Sequence, residues 1–266
     1  MAVSASLSHG AAIHSGLSNY WALDGNGDET ANTFAEATST TVDNGSVEGA
    51  DGTVSFATGL FGQAADFERG SGTDGRIQVT DAGTDIDRTG LSLSISLWVK
   101  FENDQTGWQA MVAHGEGSDY RIARDSGGGN IPGPAYAGGT GDIRDLSGNN
   151  LYNQNWYHIA ATTLAAGGTE LFVNGVSVAT SGGPANIADH GTNNLWIGNN
   201  PQGGANRMWD GLIDDVAMWD RVLTADEVAL VHNAGRAGIA LSAVPEPSTG
   251  LLGALAGLLL VVRRRR

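Results

Sequence analysis

Apolar and polar positions alternate most cleanly over residues 91–101. Leu91, Leu93, Ile95, Leu97, Val99 and Phe101 fall on one side, and Ser92, Ser94, Ser96, Trp98 and Lys100 on the other. A period of two predicts a strand with one buried and one wetter face. Residues 156–164 (WYHIAATTL) predict another strand. Residues 170–180 (ELFVNGVSVAT) predict a hairpin, because Asn174-Gly175 supplies the two positive-φ residues of a type I′ turn. Further strands are predicted over 193–200 and 211–220, and earlier over 17–24, 63–68 and 76–81. One helix is predicted. Thr224 and Glu227 have capping-box spacing, and Gly235 is placed to end it. Residues 125–142 read as a long Gly-rich loop, either a binding loop or a tolerated insertion. Many strands with Gly, Asn and Asp turns and a single helix make the expected fold all-β, an antiparallel sandwich.

The pattern changes at the C-terminus. Pro245-Glu246-Pro247 opens a stretch with no charge from Pro247 to Val262, and Arg263, Arg264, Arg265 and Arg266 close the chain. Sixteen residues make about 24 Å of helix, short of the ~30 Å hydrocarbon core, so a spanning helix needs snorkelling arginines and a thinned bilayer. The span is apolar all round, which predicts a transmembrane helix over a surface-lying one. The arginines place its end in the cytoplasm. At the other end, Gly10 and Ala12 fit a small-x-small cleavage pattern. No basic start or long apolar core precedes them. Residues 1–15 are expected to be the remnant of an export signal or a disordered tail. Residues 16–235 are expected to form the domain, 236–244 a linker and 245–266 the tail.

Charge narrows the partners. The 266-residue chain has a formal net charge of −15; without the terminal arginines it carries ten basic and twenty-nine acidic residues, or −19. Such a body repels nucleic acid, so no nucleic-acid partner is expected. The absence of cysteine excludes disulfides, thiolate metal sites and cysteine nucleophiles.

The pieces YWALDGNG, GLFGQAADFE, LSISLWVKF, WYHIAATT, LFVNGVSV, LWIGN and GLIDDVAMWDRVLTADEV, over about residues 17–231, succeed one another as in laminin-G-like domains. The body therefore resembles the concanavalin A-like jelly rolls. That resemblance implies a jelly-roll β-sandwich and a binding role toward polysaccharide or a surface protein. It also implies a structural calcium, held on this chain by Asp24 with Asp214 or Asp215. Asp24, Asn26 and Asp28 alternate like the first half of an EF-hand loop, but Glu29 and Ala35 break that pattern. Trp98, Trp156, Trp196, Trp209 and Trp219 are expected in the core or packed on the sheets. Trp108, Tyr136 and Tyr152, in loops or at strand ends, are the candidates for stacking on a sugar.

No assembled catalytic signature accompanies this. Relatives similar to laminarinases carry E-x-D-x-x-E on one strand, and this chain has none. Asp214 and Asp215 are adjacent, so regular alternation points them to opposite faces. G-x-S-x-G and H-E-x-x-H are missing, and Lys100 is the only lysine, so no phosphate loop exists. Gly70-Ser-Gly-Thr-Asp-Gly75 matches G-x-G-x-x-G but precedes a predicted strand, not a helix. The expectation is a protein that is not an enzyme.

The tail, taken whole, closely resembles the PEP-CTERM sorting signal. The match is Pro245-Glu246-Pro247, the apolar span and Arg263 through Arg266. The resemblance implies export, transient inner-membrane anchoring, and processing by an exosortase near the Pro-Glu-Pro motif. It implies a final place at the cell surface or in an exopolysaccharide matrix.

Overall fold

In a computed structural model the described residues are 13–28, 30, 42–50, 53–69, 72–80, 86–102, 107–125, 133–183, 186–188, 194–202 and 207–244. Among them the chain forms fifteen strands and one α-helix. The strands are β1 (Leu17–Trp21), β2 (Gly45–Glu48), β3 (Val54–Thr58), β4 (Gln63–Phe67), β5 (Arg76–Val79), β6 (Leu93–Phe101), β7 (Gln109–Ala113), β8 (Tyr120–Arg124), β9 (Pro134–Gly138), β10 (Ile143–Arg144), β11 (Trp156–Thr163), β12 (Thr169–Val173), β13 (Val176–Ser181), β14 (Leu195–Ile197) and β15 (Gly211–Trp219); the helix is α1 (Ala225–Arg236).

The strands pair antiparallel in two sheets. An eight-stranded sheet runs β13-β12-β11-β6-β15-β4-β3, with β1 also on β15. A seven-stranded sheet runs β10-β9-β8-β7-β14-β5-β2. The expected all-β antiparallel sandwich is therefore present. Its main core lies between the sheets and includes Trp21, Phe67, Phe101, Tyr120, Tyr136 and Ile213. A second core lies on the outer side of the eight-stranded sheet, under α1. Phe172 and Trp219 meet Val228 and Val231 of the helix there, together with Ile13, Leu17 and Leu241.

That second core corrects the reading of β6. Its serine face is not wet, since Ser94 and Ser96 are both buried. Ser94 Oγ donates to the Arg221 carbonyl at 2.7 Å and accepts from the Leu223 N–H at 2.8 Å. Ser96 Oγ pairs with His158 Nε2 at 2.7 Å. A covered polar face must be satisfied by such bonds. Small hydroxyls satisfy it while letting α1 and its leading arm lie close.

The helix start follows its sequence. Thr224 Oγ1 accepts from the Glu227 N–H, and the Glu227 carboxylate accepts from the Thr224 N–H, a complete capping box. Gly235 does not end the helix. It lies inside α1, where a Cβ would stand 2.3 Å from Trp98 Cζ2. The Asn174-Gly175 turn has φ of 51° and 79°, as a type I′ turn requires.

Two other expectations change. Residues 134–138 of the Gly-rich stretch form β9, a buried strand. Residues 236–244 are not a free linker. After α1 the chain turns back through a 3-10 turn (Leu241–Ala243), and Leu241 and Val244 are 3% and 5% exposed. Ile13 is also buried, so the packed body begins before residue 16. The Pro245-Glu246-Pro247 motif, the apolar span and Arg263–Arg266 lie outside the described residues, as do residues 1–12. No helix among the described residues is long and apolar enough to cross a membrane.

Candidate functional site

One row of residues crosses the outer face of the seven-stranded sheet in register. Gln78 on β5 pairs with Trp196 on β14, Trp196 with Ala113 on β7, Ala113 with Arg121 on β8, and Arg121 with Ala137 on β9. A parallel row is Ala110, Ala123 and Ala135. These alanines are themselves buried, beneath the larger groups of this face.

Two indoles rise from it. Trp196 is half-buried, with the Arg76 guanidinium 4.3 Å from its ring centre. Trp108, just ahead of β7, is also half-buried, and Arg121 and Arg144 lie 5.1 and 4.9 Å from its ring centre. Cation–π contacts of this kind hold an aromatic plate in place. Trp196 and Arg121 sit two strands apart, a span of about 10 Å at normal strand spacing. That is the scale of a short oligosaccharide.

Every arginine around Trp108 is matched by acid. Arg121 Nη2 donates to Asp142 at 2.9 Å, and its other terminal nitrogen contacts Glu116. Arg207 lies 3.6 Å from Glu116, and Arg144 3.3 Å from Asp125. Burial pulls the Arg121 guanidinium down from its ordinary range, and Asp142 opposes that shift. Glu116 is fixed further by Asn200 Nδ2 at 2.9 Å, and its own N–H donates to Gln202 at 2.9 Å. Three guanidinium groups thus face three carboxylates. The surface offers fixed donors, fixed acceptors and two aromatic plates with no net charge, which suits a neutral polyhydroxyl ligand better than an ion.

The three aromatic candidates from sequence separate here. Trp108 stands on this face. Tyr136 does not: it is fully buried in the inter-sheet core, its hydroxyl bonded to Thr163 Oγ1 at 2.6 Å, so no sugar reaches it. Tyr152 is half-buried, packed on Phe101 at 4.8 Å with its hydroxyl on Arg124; that ring supports the core edge. Of the tryptophans expected in the core or packed on the sheets, Trp98, Trp209 and Trp219 are buried, and Trp156 and Trp196 are half-buried on the sheet faces. The Trp196 signal was legible in its alternation with Leu195 and Ile197, which point inward.

The candidate calcium ligands also separate. A one-residue bulge in β15 between Asp214 and Ala217, with Asp215 at φ 54°, breaks the alternation. Asp214 and Asp215 therefore do not point to opposite faces. Asp214 pairs with Trp98 and Asp215 reaches Tyr20, both on the α1 side of the sheet. Asp215 is fully engaged, accepting from the Tyr20 hydroxyl and from the Leu241 N–H at 2.8 Å. Asp214 Oδ2 accepts from the Leu60 and Phe61 N–H groups at 2.8 and 3.0 Å, while its Oδ1 is buried with no partner. Exposed Asp24 accepts from the Gln63 N–H at 2.7 Å. Asp24 and Asp214 thus clamp the two ends of the β3–β4 turn. Gly62 (φ +67°) is needed within it, because a Cβ would stand 2.3 Å from Asp24 Oδ1. Burial, then the charge of Asp215, pushes Asp214 up to about 8; its two backbone hydrogen bonds oppose this.

A second acidic group escaped the sequence reading. One oxygen from each of Asp66, Glu68 and Glu102 lies within 4.8 Å of the others. Burial and mutual repulsion raise Asp66 and Glu68. Only the 66/68 alternation hinted at it; Glu102 comes from the far end of β6.

Comparison with family models matches residues 71–229 to the concanavalin A-like lectin/glucanases superfamily, in its Laminin_G_3 form. Comparison with curated proteins finds no match. Among solved structures, domain 4 of AbnA, a GH43 extracellular arabinanase from Geobacillus stearothermophilus, in complex with arabinotriose, is similar. It is 19% identical, with 80% of this chain and 96% of that chain covered and a TM-score of 0.59. The binding domain of botulinum neurotoxin serotype D/C is 16% identical at TM-score 0.60, and that of Paraclostridial mosquitocidal protein 1 is 16% identical at 0.58. Each covers 84% of this chain, which spans 53% of theirs. These likenesses are of fold.

Proposed function

Because the chain belongs to the concanavalin A-like lectin/glucanase superfamily, we propose that it is a non-catalytic carbohydrate-binding protein. In this reading it holds neutral polysaccharide against the outer face of the seven-stranded sheet. The observation that carries the reading is Trp108, a half-buried indole with the Arg121 and Arg144 guanidinium groups 5.1 and 4.9 Å from its ring centre, beside acid-paired donors and acceptors. Indole faces meet sugar C–H groups, and fixed polar groups meet hydroxyls. That a similar domain was captured with arabinotriose supports the reading. A glycan array with the full-length chain tests it. Specific binding, weakened in Trp108→Ala, is the expected result. A blank array favours the alternative, a structural or adhesive surface protein without a defined small ligand.

The Asp66, Glu68 and Glu102 group favours a second reading, a glycan-active enzyme, since retaining glycosidases hold two carboxyls about 5 Å apart. Release of reducing sugar, abolished by Glu102→Gln, establishes that reading in place of the first.

The calcium implied by the family resemblance would be held by Asp24 and Asp214, without Asp215. The fit rests on the partnerless Asp214 oxygen. Calcium there supplies charge neutralisation of a buried carboxylate.

The resemblance of the tail to a sorting signal supports a place of action. In this proposal Pro245-Glu246-Pro247 is the handle for an exosortase, the span to Val262 a transient anchor, and Arg263–Arg266 the orientation signal. The sandwich then works outside the cell, in an exopolysaccharide matrix. Mass spectrometry of the mature protein from its native host is expected to show a C-terminus near Pro247. Intact Arg266 in most surface protein excludes the processing.

A further inference from the structure

A groove of about 570 Å³ opens on the other side of the sandwich, on the outer face of the eight-stranded sheet. Trp98 is its floor. Trp156 and Asn155 at the start of β11, Asn174 of the β12–β13 turn, Leu60 of the β3–β4 turn and Arg236 at the end of α1 are its walls. The elements that build it are fixed. Trp98 is stacked on His232 at 5.8 Å and tilted against His158 at 5.1 Å. Burial pushes His158 down to about 3, so it stays neutral beside its neighbours. The Leu60 wall is held by the Asp214 carboxylate through the Leu60 and Phe61 N–H groups. Gly235 lets α1 approach Trp98 to contact distance.

The lining combines the half-buried Trp156 indole, two side-chain amides and a guanidinium. The volume lies within the range of small-ligand sites, which mix apolar walls with a few placed polar groups. Trp156 pairs across the sheet with Lys100 and stands half out of the surface at the groove mouth. A half-exposed indole beside amides is the chemistry that receives a sugar ring, with C–H groups on the indole and hydroxyls on Asn155 and Asn174.

We infer that this groove is a second carbohydrate site, so that one chain carries two glycan sites on opposite faces of the sandwich and bridges polysaccharide strands as a monomer. The inference rests on the glycan-binding reading of the Trp108 face. Two packed sheets, about 10 Å apart, separate the sites. One short segment of polymer cannot occupy both, and a second segment must fill the other.

A bridging assay with the full-length chain tests this. Arabinan, β-1,3-glucan or alginate is immobilised, protein is bound and washed, and the same polysaccharide in fluorescent form is added. Binding to the first layer and capture of the second are read separately for wild type, Trp108→Ala, Trp156→Ala and Arg236→Ala, each checked for an unchanged unfolding midpoint. The expected result is that wild type bridges at least one of the three. Trp108→Ala and Trp156→Ala should each keep first-layer binding but lose at least tenfold of second-layer capture, and Arg236→Ala should lose part of it. If Trp108→Ala abolishes first-layer binding while Trp156→Ala binds and bridges like wild type, the groove is not a glycan site and the Trp108 reading stands. If wild type binds none of the three, reading and inference fall together. Bridging that appears only at concentrations where the protein dimerises also overturns the inference.

Discussion

The Tyr20 hydroxyl donates to the Asp215 carboxylate, and the other oxygen of that carboxylate accepts the Leu241 N–H. One buried acid thereby joins the first strand to the segment that leaves α1. Burial and the Asp215 charge hold the Tyr20 phenol far above its usual range, so it remains a donor at every working pH. Tyr20→Phe leaves the acid short of one partner and is expected to cost about 1–3 kcal/mol. Chemical denaturation checks the value. Asp215→Ala is expected to cost more and to raise hydrogen exchange at Leu241 as well.

Stability should fall as pH rises. Asp214 is pushed up to about 8 and Asp215 to about 6, both mainly by burial. A carboxyl raised in the folded state holds its proton more tightly folded than unfolded. Folding is therefore favoured below the unfolded value near 4. It loses at most about 1.4 kcal/mol per pH unit for each group as pH climbs to the folded value. The slope from Asp215 ends near pH 6 and that from Asp214 near pH 8. Asp214→Asn is expected to flatten the melting-point curve between pH 6 and 8.

Calcium acts on the same group. At pH 8 the Asp214 carboxylate is available to a cation, whereas at pH 5 a proton occupies it. Millimolar calcium is expected to raise the unfolding midpoint at pH 8 and to do little at pH 5, with Asp24→Asn removing the effect. Equal midpoints in calcium and in excess chelator at pH 8 would exclude the site.

Gly235→Ala sets two known effects against each other. Helix propensity favours alanine by up to about 1 kcal/mol. The added Cβ, 2.3 Å from the Trp98 ring, forces that ring or the helix to move, and overpacking of this kind costs about 1–3 kcal/mol. The net change is expected to be destabilising, and it should alter Trp98 fluorescence.

Tyr136→Phe separates core from surface. Losing the bond to Thr163 is expected to cost about 1 kcal/mol and to leave glycan binding unchanged. Trp108→Ala should leave stability nearly unchanged and weaken glycan binding.

The eight-stranded sheet was largely legible because β6, β11, β12 and β15 carry long apolar or hairpin-marked runs. Most of the seven-stranded sheet was not. Strands β7, β8 and β9 place Ala110, Ala113, Ala123, Ala135 and Ala137 outward, where a polar residue would have marked the period. With no contrast between faces, β9 blended into the glycines around it and Tyr136 was misjudged as exposed. Trp108 stood out in the sequence as an aromatic residue in a loop. Its arginines did not, since register alone brings Arg121 and Arg144 to it. Asp215 was misdirected because no pattern in the sequence announces a bulge.

The docked end of the chain has a mechanical side. Ile13 and Val244 share the core beneath α1, so the chain enters and leaves the sandwich at one patch. Tension on residues beyond Val244 first meets the buried Val244 and Leu241 side chains, with the bonds of Leu241 to Asp215 and His14. That segment stands between any such pull and the strands behind it.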